Sequence, residues 1–161
     1  LLANDPVWAP RAEAMAAKTH EITSFLVDVM GFHTKGRRLE ATATYHDSCA
    51  GLRELGIAAQ PRALLAEVEG LQMRGLEGND VCCGFGGTFC VKYPDISTRM
   101  VADKAADIAA TGADTLLAGD MGCLLNMAGR LSREGSPVRV RHVAEVLAGM
   151  TGEAPPIGAA G

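Results

Sequence analysis

The spacing of apolar residues along the chain predicts several helices. Apolar side chains recur at intervals of three and one over residues 19–30, which is the pattern of an amphipathic helix that ends at Gly31. A longer stripe with the same period predicts a helix over residues 96–110, closed by Gly112. Weaker patterns predict four further helices over residues 52–55, 61–67, 124–133 and 142–150.

Four short segments have the composition of strands. Residues 41–45 and 114–118 are small, apolar or β-branched and are predicted as buried strands, and residues 138–141 follow Pro137 as a third. Residues 70–76 carry polar side chains at alternate positions, Gln72 and Arg74, and contain Gly75, which suits an edge strand. Because the strands alternate with helices, we expect an α/β fold with a mainly parallel sheet flanked by helices.

Composition and charge narrow the class of protein. A chain of 161 residues that is 48% hydrophobic and 21% charged fits one globular domain, which we place at residues 1–150, with 151–161 as a flexible tail. No apolar run approaches the roughly 20 residues of a membrane span. The 15 basic and 19 acidic residues include no dense basic block, so no nucleic-acid partner is expected. Because the sequence opens at Leu1 rather than at Met, we expect a C-terminal fragment of a longer protein.

Five cysteines are the main chemical feature of the sequence, at positions 49, 82, 83, 90 and 123. Their odd number in a chain of this length argues against a secreted disulfide framework. All except Cys90 lie beside Gly or Asp in predicted loops rather than in apolar stripes, which argues against inert buried thiols. Two predicted strands end just before a cysteine, and sites in parallel sheets form beyond the carboxyl ends of the strands. One shared cysteine site at that edge is therefore predicted.

The cysteine pattern favours a metal centre. Thiolates that converge from separate segments are the ligands of soft metals, and Gly84, Gly86 and Gly87 allow the backbone to approach such a centre closely. The adjacent Cys82 and Cys83 can present both sulfurs to a polynuclear cluster. The Cys-x2-Cys pairs that are common in mononuclear zinc sites do not occur in the sequence.

Three motifs carry a resemblance to a known family. They are YHDSC at residues 45–49, CCGFGGTF at 82–89 and DMGC at 120–123. In order and spacing they resemble the cysteine-rich CCG domain of the family that includes lactate utilisation protein A, the glycolate oxidase iron–sulfur subunit and a heterodisulfide reductase subunit. The resemblance is strongest to the second of the two CCG repeats found there, and it runs from about residue 5 to residue 149.

The resemblance implies an electron-transfer domain of an oxidoreductase subunit that serves the oxidation of L-lactate or a glycolate-like 2-hydroxy acid. It implies a 4Fe–4S cluster held by Cys49, Cys82, Cys83 and Cys123, with zinc or an empty site expected in protein prepared in air. The implied partners are other subunits of a complex, so turnover by this chain alone is not expected. The implied location is cytoplasmic, with peripheral association at the inner face of the membrane as a variant of it.

Residues around the implied ligands leave several alternatives open. Asp120 stands where the fullest form of the motif has a fifth cysteine, which favours an ordinary cubane over a non-cubane double cluster. Asp120 is then a carboxylate ligand, a hydrogen-bond acceptor beside the ligands, or a turn residue. We expect His46 and Asp47 to support the ligands through hydrogen bonds or charge, and Asp47 to cap the following helix as the alternative. Cys90 matches no ligand position.

A second function from a different class is a structural zinc module that serves as a surface for complex assembly. Zinc in such a module contributes folding energy and no redox activity. Other enzyme classes lack support in the sequence, because no G-x-G-x-x-G fingerprint with a distal acidic residue and no Ser-His-Asp order is present.

Overall fold

The structure is a computed structural model that describes residues 2–159, and its centre is a four-stranded sheet. The strands are β1 (Arg38–His46), β2 (Glu69–Arg74), β3 (Thr115–Ala118) and β4 (Arg139–His142). Their order across the sheet is β2-β1-β3-β4, and every neighbouring pair is parallel. The predicted α/β fold with a mainly parallel sheet is therefore confirmed.

Helices flank the sheet on both faces. Within residues 2–159 they are α1 (Ala9–Ala16), α2 (Ile22–Ser24), α3 (Cys49–Glu54), α4 (Ala59–Ala66), α5 (Phe89–Lys92), α6 (Pro94–Ala110), α7 (Met121–Arg133) and α8 (Val143–Ala148). In this part of the chain, no helix is both long and apolar enough to cross a membrane.

The N-terminal half of the structure differs from the sequence predictions in two ways. The helix expected over residues 19–30 is divided, because α2 continues as a π-helical segment, Phe25–Val29. Helix α1 was not predicted from the sequence, and none of its residues is buried, so no apolar stripe marks it. The π-helical segment ends before Gly31, whose φ of 57° leaves the helical region as predicted.

The core consists of two clusters, one on each face of the sheet. Leu116 of β3 lies in a cluster with buried residues of α6 and α7, such as Ile108 and Leu124. The next residue, Leu117, lies in the other cluster with residues of α4 and α8, such as Leu65 and Val146. Successive side chains of a strand point to opposite faces, so β3 is buried on both sides, as is usual for parallel sheets.

Strand β2 lies at one edge of the sheet, as its sequence predicts. Its pairing with β1 is irregular between Arg38 and Ala41, and Gly70 at this point has a φ of 80°. The carboxylate of Glu40 occupies the space where a Cβ on Gly70 would stand, and all residues of β2 except Leu71 are exposed. The three steps from Arg38 to Ala41 on β1 stand opposite two steps on β2, so β1 carries one extra residue at this β-bulge.

Part of the segment after α8 contacts the core. The backbone N–H of Ile157 donates to the carbonyl oxygen of Val140 at 2.9 Å, and the Ile157 side chain packs on the α7 side of the sheet. Flexibility of residues 151–161 stays a prediction, and residues 160 and 161 lie outside the described part. The contact nevertheless attaches residue 157 to β4.

The chain order of the strands creates a switch point between β1 and β3. The connection from β1 leads to β2 on one side, whereas the connection from β3 leads to β4 on the other side. Such a reversal opens a crevice at the carboxyl ends of the two central strands, where α/β proteins place their ligands. His46 ends β1 at this crevice, and Ala118 ends β3 beside it.

We predict that Leu124→Ala lowers the free energy of unfolding by about 3 kcal/mol, because Leu124 is fully buried and its removal leaves a cavity. The matched control is Leu125→Ala on the same helix, where the side chain is 56% exposed and the expected change is within about 0.5 kcal/mol. Urea denaturation of both variants measures the difference. Equal losses would contradict the packing of α7 against β3.

Candidate metal centre

The crevice between β1 and β3 brings three potential metal ligands together. One ring nitrogen of His46 and the sulfurs of Cys83 and Cys123 all lie within 4.8 Å of one another, and all three residues are buried. His46 comes from the end of β1, Cys123 from the start of α7, and Cys83 from the long connection between β2 and α5. Three distant segments of the sequence therefore meet at one point.

His46 is the most unusual member of this group. Its side chain has no exposed surface, and neither Nδ1 nor Nε2 has a hydrogen-bond partner among the described residues. A buried polar atom without a partner costs about 1–3 kcal/mol, so it calls for a bound ion, ligand or water molecule. A metal ion or a metal-bound sulfur in the crevice would supply the partner that His46 lacks.

The neighbouring thiols of Cys83 and Cys123 shift each other's pKa in opposite directions. Cys123 lowers the pKa of Cys83 to about 4, and the backbone N–H of Phe85 lowers it further, whereas burial opposes both effects. Cys83 in turn raises the pKa of Cys123, and burial raises it further. The thiolate, which is the form that binds metals, is therefore favoured at Cys83 over Cys123.

Cys49 and Cys82 form a second pair beside the first. Burial raises the pKa of Cys49, and the neighbouring Cys82 and the negative charge of Cys83 raise it further. Cys82 in turn accepts a hydrogen bond from the backbone N–H of Gly84 at 3.3 Å. The pair lies outside the compact group of His46, Cys83 and Cys123, but the negative charge of Cys83 reaches Cys49.

The structure corrects the prediction that the cysteines outside apolar stripes all lie in loops. Cys49 is the first residue of α3, which is capped by Ser48, and Cys123 lies in the first turn of α7, which is capped by Asp120. The side chains of Ser48 and Asp120 accept hydrogen bonds from backbone N–H groups in the first turns of these helices. The periodic pattern of apolar residues alone did not place these first turns in helices. Both sulfurs thus start from helix N-termini, where the helix dipole favours negative charge.

Asp120 has a definite role in the structure as the cap of α7. Its Oδ1 accepts the backbone N–H of Cys123 at 2.9 Å, and the negative charge of its carboxylate raises the pKa of the Cys123 thiol. Asp120 is not a member of the compact group of three ligand atoms. Two of the three alternatives for Asp120, the turn residue and the acceptor beside a ligand, describe this arrangement.

Asp47 links the end of β1 to two other segments. Its buried carboxylate accepts two hydrogen bonds from Arg62 of α4, at 2.9 and 2.7 Å, and one from Asn79 at 2.6 Å. Its backbone N–H donates to the carbonyl of Asn79. The alternative that Asp47 caps the following helix is wrong, because the Ser48 side chain performs that task. Asp47 instead fixes the loop that leads to Cys82.

Two glycines allow the backbone to pack closely around the cysteines. Gly84 has a φ of 85°, and a Cβ there would lie 2.8 Å from the carbonyl oxygen of Ser97. A Cβ on Gly122 would lie within 3 Å of the Phe85 ring, because that ring packs on the start of α7. The remaining predicted glycines, Gly86 and Gly87, also have positive φ. The glycines thus shape the loop, as the sequence suggested.

Cys90 lies outside the group, and its thiol donates to the carbonyl of Gly87 at 3.1 Å.

Lys104 of α6 was not predicted from the sequence as a residue of interest, although its side chain is only 1% exposed and burial lowers its pKa. The signal was its position three residues after Val101 and four before Ile108, which places a lysine on the apolar face of the helix.

Comparison with known proteins agrees with this geometry. The sequence pattern of the family described as "Cysteine-rich domain" (CCG) matches residues 43–128, which include all five cysteines and the strand β3. His46 and Asp47 also lie within the matched region.

Curated relatives extend the likeness over most of the chain. The chain is 52% identical over 147 residues to "Lactate utilization protein A" of Exiguobacterium sp. strain AT1b, covering 91% of this chain and 60% of that protein. The protein of the same name from Lysinibacillus sphaericus is 52% identical over 143 residues, covering 89% and 63%. That from Bacillus subtilis strain 168 is 47% identical over 147 residues, covering 91% and 62%. The chain thus spans about 60% of the length of these relatives.

We predict that Gly84→Ala lowers the free energy of unfolding by about 2–4 kcal/mol, because the new Cβ meets Ser97 in a backbone conformation that disfavours side chains. Gly87→Ala is the matched control, since Gly87 has a φ of 60° but open space around it, and a loss of about 1 kcal/mol is expected. Denaturation under reducing conditions compares the two. The packing of α6 against this loop would be refuted by a larger loss at Gly87.

Proposed function

The chain belongs to the family of cysteine-rich (CCG) domains, and we propose that it holds a 4Fe–4S cluster and relays electrons in an oxidoreductase. The observation that carries the proposal is the meeting of buried His46, Cys83 and Cys123 at the switch point of a parallel sheet, with the Cys49–Cys82 pair beside them. Four thiolates from separate segments are the usual ligand set of such a cluster.

We propose Cys49, Cys82, Cys83 and Cys123 as the ligands. The donor set suits the group chemically, because one thiol is already acidic and the buried nitrogens of His46 lack partners that a cluster sulfur would provide. Asp120 supports Cys123 as an acceptor rather than as a fifth ligand. The bound cluster would supply reversible one-electron transfer. The chain's own contribution is to hold the sulfurs, exclude water and donate hydrogen bonds to them.

The substrate class of the proposal follows from the relatives, which bear the name "Lactate utilization protein A". We propose that the complex oxidises L-lactate or a glycolate-like 2-hydroxy acid. Because the chain spans about 60% of these relatives, its partners are proposed to be other subunits, and turnover by this chain alone is not expected. Five free thiols suit a reducing compartment, so we propose a cytoplasmic location, with peripheral association at the inner face of the membrane.

A structural zinc site is the second candidate, and the compactness of the three-residue group favours it. Ligand atoms around one tetrahedral zinc ion are separated by about 3.8 Å when Zn–S bonds measure about 2.3 Å, which fits within the 4.8 Å limit of His46, Cys83 and Cys123. Either Cys49 or Cys82 would then be the fourth ligand. In this alternative the metal joins β1, α7 and the Cys83 loop without redox activity.

We expect the chain, reconstituted with iron and sulfide without oxygen, to bind about four iron atoms and to give an electron paramagnetic resonance signal after reduction. Cys83→Ser and Cys123→Ser should abolish the signal, because each removes a buried sulfur of the compact group. Iron, sulfide and zinc analysis of the same samples completes the measurement.

Cys90→Ser is the matched control for these variants, since Cys90 lies outside the group, and it should retain iron and signal. One tightly bound zinc and no signal in the wild-type chain would reject the cluster in favour of the zinc module. Loss of iron in Cys90→Ser with retention in Cys123→Ser would reject the proposed ligands.

A further inference from the structure

Lys104 is a buried cation that the proposed function has not used. Its side chain is 1% exposed and is the largest of the fully buried side chains, and its neighbours along α6, Val101, Ala105 and Ile108, belong to the hydrophobic core. Among residues 2–159 it forms no ion pair. Burial of an unpaired charge costs several kcal/mol, so a compensating negative charge is expected nearby.

Lys104 lies beside the loop that carries the adjacent cysteines, and Asp107 of the same helix is the largest negative charge that acts on it. The Lys104 Nζ donates a hydrogen bond to the carbonyl oxygen of Gly78. Two turns earlier on the same face of α6, the Ser97 hydroxyl donates to the carbonyl of Gly84 at 2.8 Å. One face of the helix thus contacts both ends of residues 78–84, the loop that carries Cys82 and Cys83.

The charges around Lys104 agree with this position. Burial lowers the pKa of the ammonium group, whereas the negative charges of Asp107, Cys83, Asp80 and Cys49 oppose the change. Two of these four groups are proposed ligands, and they come from different segments of the chain. Arg53, whose charge also acts on Cys49, is exposed and therefore more strongly screened by water and salt.

We propose that the ammonium group of Lys104 is the internal counter-charge of the cysteine-bound metal centre. It stabilises the negative charge of the bound thiolates, and in a cluster it stabilises the reduced form more than the oxidised form. The effect on redox potential rests on the proposed function, whereas the effect on metal retention requires only that the thiolates bind a metal. Lys104 is not a ligand in this scheme, because it acts on the centre through its charge.

The test compares Lys104→Met and Lys104→Gln with the wild-type chain after anaerobic reconstitution. Both variants remove the charge, but Gln retains a group that can donate to Gly78. In a redox titration with dithionite as the electron donor, one electron enters the cluster, no bond is made or broken, and Lys104 keeps its proton. Both variants should shift the midpoint potential to more negative values, because the added electron is no longer stabilised by the ammonium.

Arg99→Met is the matched control, because it removes one positive charge from an exposed position of the same helix, where Arg99 pairs with Asp103. It should leave the midpoint potential unchanged. A wild-type potential in both Lys104 variants would overturn the proposal. So would a wild-type potential in Lys104→Gln alone, since the hydrogen bond rather than the charge would then be responsible.

Zinc binding separates failure of this inference from failure of the proposed function. If the wild-type chain binds zinc and no cluster, the proposed function fails, but the counter-charge remains testable by chelator competition. Both Lys104 variants should then bind zinc more weakly by a factor on the order of ten, and Arg99→Met should not. Equal zinc affinity in all four proteins would overturn the role of Lys104.

Discussion

The parallel pairing of β1 with β3 is the constraint on which the metal centre depends. It sets His46 opposite Ala118, so that the end of one strand lies beside the turn that leads into Cys123. A shift of the register by one residue would turn the His46 side chain to the other face of the sheet, and an adjacent residue would take its place. The clusters around Leu116 and Leu117 fix this register, because each residue fits only its own face.

Much of the fold could be predicted from the sequence, because buried strands and long amphipathic helices leave strong apolar patterns. The four strands and the helix α6 were found within a few residues of their observed bounds. The apolar patterns did not predict elements whose residues are mostly exposed or that are very short. Helix α1 buries none of its residues, α5 has only four residues, and the change to a π-helix at Phe25 follows from local hydrogen bonding.

Part of the candidate site could be predicted from the sequence, namely the meeting of Cys83 and Cys123, but not the place of His46 within 4.8 Å of them. The spacing of cysteines after two strands placed them at one edge, since parallel strands end together. Spacing cannot show that Cys83 pairs with Cys123 while Cys49 pairs with Cys82, because those contacts depend on the course of the connecting loop. The partners of Asp47 and the contact of Lys104 with Gly78 arise in the same way, from segments that are distant in the sequence.

The irregular pairing of the edge strand β2 with β1 has a consequence for the behaviour of the molecule at high concentration. An edge strand with free backbone groups can pair with the edge of another copy and begin aggregation. The positive φ of Gly70 and the charged side chains of Glu69 and Arg74 disfavour such intermolecular pairing. The protein carries its cysteine-rich crevice on an open sheet. The β2 edge of that sheet resists pairing with a second molecule, so the sheet does not readily extend from one molecule to the next.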